Sequence, residues 1–184
     1  MGKKITKGGI YLNYSFYVRN SSGARVLVRI RPATEADFQL TVSERWASDW
    51  TAKEMQKPSL EKYVVEEKQG GKAIAFCAYE AKEQWLSVLI SYAESEPDSH
   101  PRLVAKRTHR RYTEIGKVVI AYGVFLSLQK GFDGTVHFKA KTTELYQHYK
   151  KDFGALDLPS EPYALIIFGE QGIRLLEDFK EDAI

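Results

Sequence analysis

The sequence predicts an α/β fold of the mixed (α+β) kind, in which a mostly antiparallel sheet is flanked by helices. In the first half of the chain, apolar residues recur at every second position, which is typical of half-buried strands. In the second half, apolar residues at helical spacing alternate with short strand-like runs. The chain has 184 residues, 43% hydrophobic and 28% charged, so it is long enough for one core and has no fibrous or disordered composition.

A long β-hairpin followed by a helix is predicted at the start. Apolar and polar residues alternate over Ile10–Val18 and again over 26–32, with a turn-rich stretch between them. Thr34 is a favourable N-cap with acids in the first helical turn, and the helix face continues to Trp46. A second short helix is expected near residue 51 or 59.

Three strands joined by short turns come next and indicate an antiparallel meander. They are Tyr63–Glu67, Lys72–Ala81 and Trp85–Ala93, and the Gly70-Gly71 pair suits a hairpin turn. The connection that follows has roughly 18 residues, and connections this long tend to be functional or mobile.

The second half predicts alternating helices and strands, and a single strand after the third helix, so no closing hairpin is expected. The predicted elements are a helix Thr113–Gln129, a strand Thr135–Ala140, a helix from Thr142 to Gly154, a strand Tyr163–Gly169 and an amphipathic helix through Ile173 and Phe179.

Residues 1–24 are predicted to be an N-terminal extension with an extra strand, and residues 25–184 to be the main domain. If the chain does not cover the apolar face of Ile10–Val18, that strand is a candidate edge for a homodimer. No apolar run approaches the roughly 20 residues of a membrane span, and no signal peptide is visible. With the lone Cys77, these features predict a cytoplasmic protein without membrane contact.

The charge distribution and the histidine and cysteine spacing indicate which kinds of ligand the protein could bind. The net charge of +3 is too small to predict nucleic-acid binding from the total. The four histidines have no metal-site spacing and cysteines do not cluster, so no metal is expected. A basic stretch from Arg102 to Lys117 is either a solvated loop or a landing site for phosphate. Because a strand precedes it and a helix N-terminus ends it, this junction is where a phosphate-bearing ligand would sit. The other interpretation is a helix start with ordinary basic residues that confer solubility.

Arg111-Tyr-Thr-Glu-Ile-Gly116 resembles the acetyl-CoA loop of the GNAT N-acetyltransferase superfamily, whose pattern is Arg/Gln-x-x-Gly-x-Gly/Ala at the start of a helix. The following segment, Lys117–Gly134, is similar to the central helix of that family and the entry to its next strand. Val28–Asp37 is similar to the common opening, and Leu145–Ala155 to its Tyr…Gly-Phe segment. The resemblance covers roughly residues 26–169.

The resemblance implies a GNAT-like acyl-CoA N-acyltransferase fold with acetyl-CoA as cosubstrate. Glu114 stands where the pattern has its middle glycine, and a carboxylate there repels diphosphate unless it turns outward. The long insert before Arg111 is a second departure from the family. The residues implied in cofactor binding are Arg110, Arg111, Tyr112, Thr113, Ile115, Gly116 and Lys117.

The implied chemistry is direct attack of a primary amine on the acetyl thioester, held where the strand Trp85–Ala93 splays from the next one. Tyr149 best matches the tyrosine that protonates the departing thiolate, and Tyr146 is the alternative. For the proton of the amine, acting through water, Glu94 is the first candidate and His137 the second.

Two other function classes stay open. The fold could serve as a catalytically inactive binding or regulatory module, as Glu114 suggests, or as a nucleic-acid-contacting protein that uses residues 102–117. For the enzyme, the expected acceptor is a small-molecule amine or the amine of a protein or aminoacyl group. A nucleic acid is not the expected partner.

Overall fold

The fold is seen in a computed structural model, which describes residues 5–7, 10–100, 104, 109–159 and 161–181, with only the backbone for 5–7 and 10–12. None of the helices in these ranges is long and apolar enough to cross a bilayer. The strands are β1 (Ile5–Lys7), β2 (Ile10–Leu12), β3 (Tyr17–Asn20), β4 (Arg25–Pro32), β5 (Glu61–Glu67), β6 (Ala73–Lys82), β7 (Ser87–Ser95), β8 (Tyr112–Thr113), β9 (Val136–Lys139), β10 (Leu156–Asp157) and β11 (Ala164–Ile167).

The α-helices are α1 (Glu35–Ser43), α2 (Ile115–Gln129), α3 (Thr143–Phe153) and α4 (Gly169–Glu177), and short 3₁₀ turns lie at Lys53–Gln56, Glu83–Trp85 and Pro97–Ser99. The chain divides into two compact units. The first unit comprises Met1–Ser15, Glu80–Ser91 and Ile120–Ile184, and the second comprises Phe16–Tyr79 and Tyr92–Val119.

The second unit contains an antiparallel arrangement in the order β8-β3-β4-β5-β6. Its core lies where α1 and the segment after it pack on the sheet. Trp50 is fully buried, with its ring 5.4 Å from that of Phe76, and Trp46 contacts the same ring at 4.9 Å. The buried cluster consists of Phe38, Trp50, Met55, Leu60, Val64, Phe76 and Ala78.

The first unit contains residues 87–91 of β7, followed in the sheet by β9, β11 and β10, and residues 92–95 of β7 belong to the second unit. Strand β1 pairs with β2 apart from them. The β7–β9 pair is parallel, whereas β9–β11 and β11–β10 are antiparallel. Its core is formed by Val88, Val136, Leu165, Ile167, Leu176 and Phe179. A mixed, mostly antiparallel sheet flanked by helices confirms the predicted fold class.

The structure corrects two expected details. A closing hairpin does exist, because β10 pairs with β11 through Leu156 and Ile166. Strand β10 has only two residues, both exposed, which is too short to show an alternation of apolar and polar side chains. Sequence periodicity therefore missed this strand. The predicted strand Ile10–Val18 is interrupted, since Tyr14 instead bridges to Lys180 near the C-terminal end of the described chain.

An ionic cluster fixes α1 to the sheet. The Arg31 guanidinium donates to both oxygens of Asp37 at 2.7 and 2.8 Å and to Glu66 at 2.9 Å. Asp37 also accepts from the backbone N–H of Thr34, which completes a capping box at the start of α1. The hydrogen bonds from Arg31 lower the pKa of Asp37 from 3.8 to about 2.

Replacing Asp37 therefore removes a pH-dependent part of the stability. Because the pKa is lowered in the folded state, the stabilisation is present above pH 3.8 and is lost as the pH falls towards 2. Asp37→Asn should lower the free energy of unfolding at pH 7 by about 2 kcal/mol. Denaturant titrations from pH 7 to 2 check this, and parallel profiles for wild type and variant would contradict it.

Candidate functional site

The backbone that leads into α2 is fastened to the 3₁₀ turn at Pro97–Ser99. The N–H of Arg111 donates to the Asp98 carbonyl at 3.1 Å, and the N–H of Tyr112 donates to Ser99 Oγ at 2.9 Å. Ser99 Oγ–H in turn donates to Glu96 at 2.5 Å. These bonds fix the positions of residues 111 and 112, which follow the long insert in the sequence.

The Arg111 side chain forms ion pairs with two acidic residues of the second unit. Its guanidinium lies 3.6 Å from Glu96 and forms an ion pair with Asp98. Burial of the Glu96 carboxyl raises its pKa, although the hydrogen bond from Ser99 opposes that shift. These three residues line a cavity of about 570 Å³, whose charged lining residues are Glu44, Arg45, Lys72, Glu96, Asp98 and Arg111.

Tyr112 is a buried residue, and its hydroxyl donates to Glu67. Burial is the main cause that raises the pKa of Tyr112 to about 12, and the hydrogen bond to Glu67 adds to it. Together with Thr113, Tyr112 forms strand β8 on the edge of β3. These contacts give Tyr112 and Thr113 a fixed place beside the start of α2.

Glu114 has a left-handed backbone with a φ of 66°. An L-residue other than glycine pays roughly 1–2 kcal/mol for this conformation, which glycine adopts freely. It is the position at which the resembled loop pattern has its middle glycine. The carboxylate accepts from Nε of Arg19 on β3 at 3.3 Å, so its charge is partly neutralised.

Helix α2 begins directly after Glu114, whose carbonyl accepts the N–H of Val118. The N–H groups of Ile115 and Gly116 precede this first helical hydrogen bond. Gly116 is exposed and Lys117 is half-buried, so an anion could approach the backbone there beside a lysine. Helix N-termini of this kind bind phosphate groups, and the donors therefore suit a diphosphate.

Glu94 is buried near the end of β7 in the second unit. Its carboxylate accepts three N–H groups, from the backbone of Ala47 at 2.5 Å and Ser48 at 3.1 Å, and from Nε1 of Trp50 at 3.1 Å. The carboxylate thus ties the segment after α1 to β7.

The two candidate tyrosines lie on α3 in the first unit. The Tyr149 ring packs edge-on against Phe138 with centroids 5.1 Å apart, and burial raises the pKa of its hydroxyl. The Tyr146 hydroxyl donates to Asp157 and lies 3.5 Å from Nζ of Lys150. The hydroxyl of Tyr146 is therefore engaged on the surface, which distinguishes it from Tyr149.

His137 also lies in the first unit, on β9. Its Nδ1 is 3.1 Å from Ser87 Oγ, and its ring contacts Trp85. Burial, followed by the charge of Lys82, lowers the pKa of His137, so the imidazole is neutral at pH 7.

Arg110 through Lys117 lie together in the second unit with Glu94, and Tyr149 and His137 lie in the first. Arg102, Lys106 and Arg107 of the basic stretch are outside the described residues. No cluster of three metal-ligating side chains occurs within the described ranges. Sequence reasoning missed Glu96, Ser99 and Arg19. The acidic run before the insert could have indicated the first two, but nothing local pointed to Arg19.

No protein-family model matches the chain, and no curated protein matches it. Solved structures do match. AtaTR bound with AcCoA is 14% identical with a TM-score of 0.55, covering 80% of this chain and 97% of that one. A tyrosine-to-phenylalanine mutant of KacT is 9% identical with a TM-score of 0.52, covering 80% and 98%. The KacTA–DNA complex is 11% identical with a TM-score of 0.50, covering 82% and 99%.

Identities this low establish the fold alone. These neighbours are GNAT-fold acetyltransferases, so the chain has the GNAT-like fold that the loop and helix patterns predicted.

The role of Glu94 as an anchor gives a direct prediction. In Glu94→Gln the side-chain NH₂ cannot accept from the N–H groups that the lost oxygen served, so one or more stays unpaired. The free energy of unfolding should fall by about 2–3 kcal/mol, measured by denaturant titration. Glu83→Gln, at an exposed position, is the matched control and should stay within about 0.5 kcal/mol. Equal losses in the two variants would contradict the anchor.

Proposed function

We propose that this chain is an acetyl-CoA-dependent N-acetyltransferase that transfers an acetyl group to a primary amine by direct attack. The observation that carries the proposal is the left-handed backbone of Glu114 immediately before α2. Glu114 stands at the position of the middle glycine of the resembled loop, and its φ lies in the region that glycine adopts freely. The GNAT-like fold and a neighbour bound with AcCoA support the same function.

The start of α2 would hold the diphosphate of the cosubstrate. The N–H groups of Ile115 and Gly116 would donate to it, and Lys117 would add a positive charge. Arg111 and Tyr112 would act indirectly, because their bonds to residues 96–99 fix the position of the loop. When bound, acetyl-CoA supplies an activated acetyl thioester.

Tyr149 is the proposed proton donor to the departing sulfur. Its pKa is raised by burial, so the hydroxyl keeps its proton at neutral pH until the sulfur develops negative charge. Tyr146 is less suited, because its hydroxyl already donates to Asp157.

For the proton that leaves the amine, we favour His137 over Glu94. Three N–H donors already occupy three of the roughly four acceptor positions of the Glu94 carboxylate. His137 is neutral at pH 7, so one ring nitrogen carries a lone pair that can take a proton through water. Glu94 would then serve the site by holding the segment after α1.

The alternative of an inactive GNAT-fold module rests on the Glu114 carboxylate. A negative charge near the diphosphate site opposes binding, and the ion pair with Arg19 offsets only part of it, since both side chains are about one-third exposed.

Substitution of Glu114 separates these two functions. Glu114→Gly removes the charge and keeps the turn, so the Kd of acetyl-CoA should fall about five- to tenfold, equivalent to about 1 kcal/mol. Glu114→Gln is the matched control and should give most of the gain, because the charge is the cause. Isothermal titration measures both.

The wild type itself should bind, with saturable heat and a raised melting temperature. If the wild type and Glu114→Gly both fail to bind at millimolar acetyl-CoA, the enzyme proposal is wrong. Binding that appears only in Glu114→Gly favours the inactive module.

Tyr149→Phe should reduce kcat about 10²-fold or more with little change in the Kd of acetyl-CoA, because only proton transfer is removed. Tyr146→Phe is the control on the same helix and should keep kcat within a few-fold. Since burial raises the pKa of Tyr149 above 10, the wild-type rate should show no loss from tyrosine ionisation between pH 7 and 9. A Tyr149→Phe enzyme at full rate would exclude this role.

A further inference from the structure

The cavity of about 570 Å³ in the second unit has no part in the proposed acetyl transfer. Its lining comes from the end of α1, the turn between β5 and β6, residues 96–98 after β7, and Arg111. All of these segments belong to the second unit. The volume lies within the range of about 300–1,000 Å³ that is usual for small-molecule sites.

The charges that line this cavity cancel. Three are cations and three are carboxylates, namely Arg45, Lys72, Arg111, Glu44, Glu96 and Asp98. A ligand with a net charge of either sign therefore meets as many like charges as opposite ones. A ligand that carries one positive and one negative group can face opposite charges with both.

Most of the neighbouring opposite charges lie close together without sharing a hydrogen bond. Lys72 Nζ is 4.0 Å from Glu96, and a guanidinium nitrogen of Arg111 is 3.6 Å from the same carboxylate. Arg45 lies 3.7 Å from Asp98. Hydrogen bonds between nitrogen and oxygen measure about 2.7–3.2 Å, so these contacts leave donors and acceptors that a ligand can use.

The carboxylate is the buried member of this set and the cations are the exposed members. The Glu96 side chain is 4% exposed, compared with 42% for Lys72 and 84% for Arg45. Burial raises the pKa of Glu96 even though two cations lie within 4.0 Å, so a further positive group would stabilise its charge. The lining thus offers a buried carboxylate to an ammonium group and exposed cations to a carboxylate.

We propose that this cavity binds a small zwitterion of the α-amino-acid type, with its ammonium group against Glu96 and its carboxylate against Lys72 and Arg45. The two charged groups of an α-amino acid are about 3 Å apart, which is similar to the spacing of opposite charges in the lining. The apolar lining residues contact the side chain of the ligand, and they are Leu40, Ala73 and Pro97. This inference goes beyond the proposed function and does not depend on acetyl transfer.

The first test is isothermal titration of the full chain with L-leucine in the absence of acetyl-CoA. Saturable binding with a Kd of about 1 mM or lower is expected. Two matched probes each lack one charge of leucine: 3-methylbutylamine has no carboxylate, and 4-methylpentanoate has no amino group. Both should bind at least about tenfold more weakly, because each leaves part of the charged lining without an opposite charge.

The second test locates the ligand in the cavity. Lys72→Gln removes a cation that the carboxylate contacts, so the Kd of leucine should rise about tenfold, and Arg45→Gln should act in the same direction. Lys68→Gln is the matched control, since Lys68 is an exposed lysine near the same turn that does not line the cavity. Its Kd should stay within about twofold of wild type. All three variants should keep the wild-type melting temperature within a few degrees, because the replaced side chains are exposed.

Equal affinity for leucine and 3-methylbutylamine would overturn the inference, because the carboxylate would then not be recognised. Wild-type affinity in Lys72→Gln would also overturn it, since the amino acid would bind elsewhere. If L-alanine, L-leucine and L-phenylalanine all fail to bind at about 20 mM, the inference is wrong and the proposed function still stands. Failure of acetyl-CoA to bind would contradict the proposed function and leave this inference intact, because no titration here contains acetyl-CoA.

Discussion

The position of the α2 start depends on the hydrogen bonds that join residues 96–99 to Arg111 and Tyr112. These bonds join the two ends of the long insert, and they therefore fix the place at which the helix begins. Helix N-termini bind anions through their free N–H groups, and here Glu96 and Ser99 fix the backbone at Tyr112, shortly before α2 begins. The proposed diphosphate site at the start of α2 depends on this constraint.

The charges around that helix start oppose one another. Glu114 places a carboxylate beside the N-terminus, where Lys117 and the helix itself favour an anion. Arg19 on β3 forms an ion pair with that carboxylate. The left-handed conformation of Glu114 costs folding free energy that glycine would not. If the proposed diphosphate site exists, these opposed charges predict modest rather than tight binding.

Sequence periodicity predicted β5, β6, β7 and α2 within a few residues, because each is long enough to show its period. It missed β8 and β10, which have two residues each and exist only through pairing with distant strands. The candidate loop at residues 111–116 could be proposed from its local pattern. The ion pairs of Glu96 and Arg19 were not, since they join residues that are 15 and 95 positions apart in the chain. Likewise, only the structure separates Tyr149 from Tyr146, through the bond of Tyr146 to Asp157.

Amide hydrogen exchange of the full chain, with and without saturating acetyl-CoA, tests whether the start of α2 binds the diphosphate. We predict that the amides of Ile115 and Gly116 exchange more slowly when the ligand is present, because they donate to its diphosphate. Saturable binding with unchanged exchange at these two amides would place the ligand elsewhere on the protein.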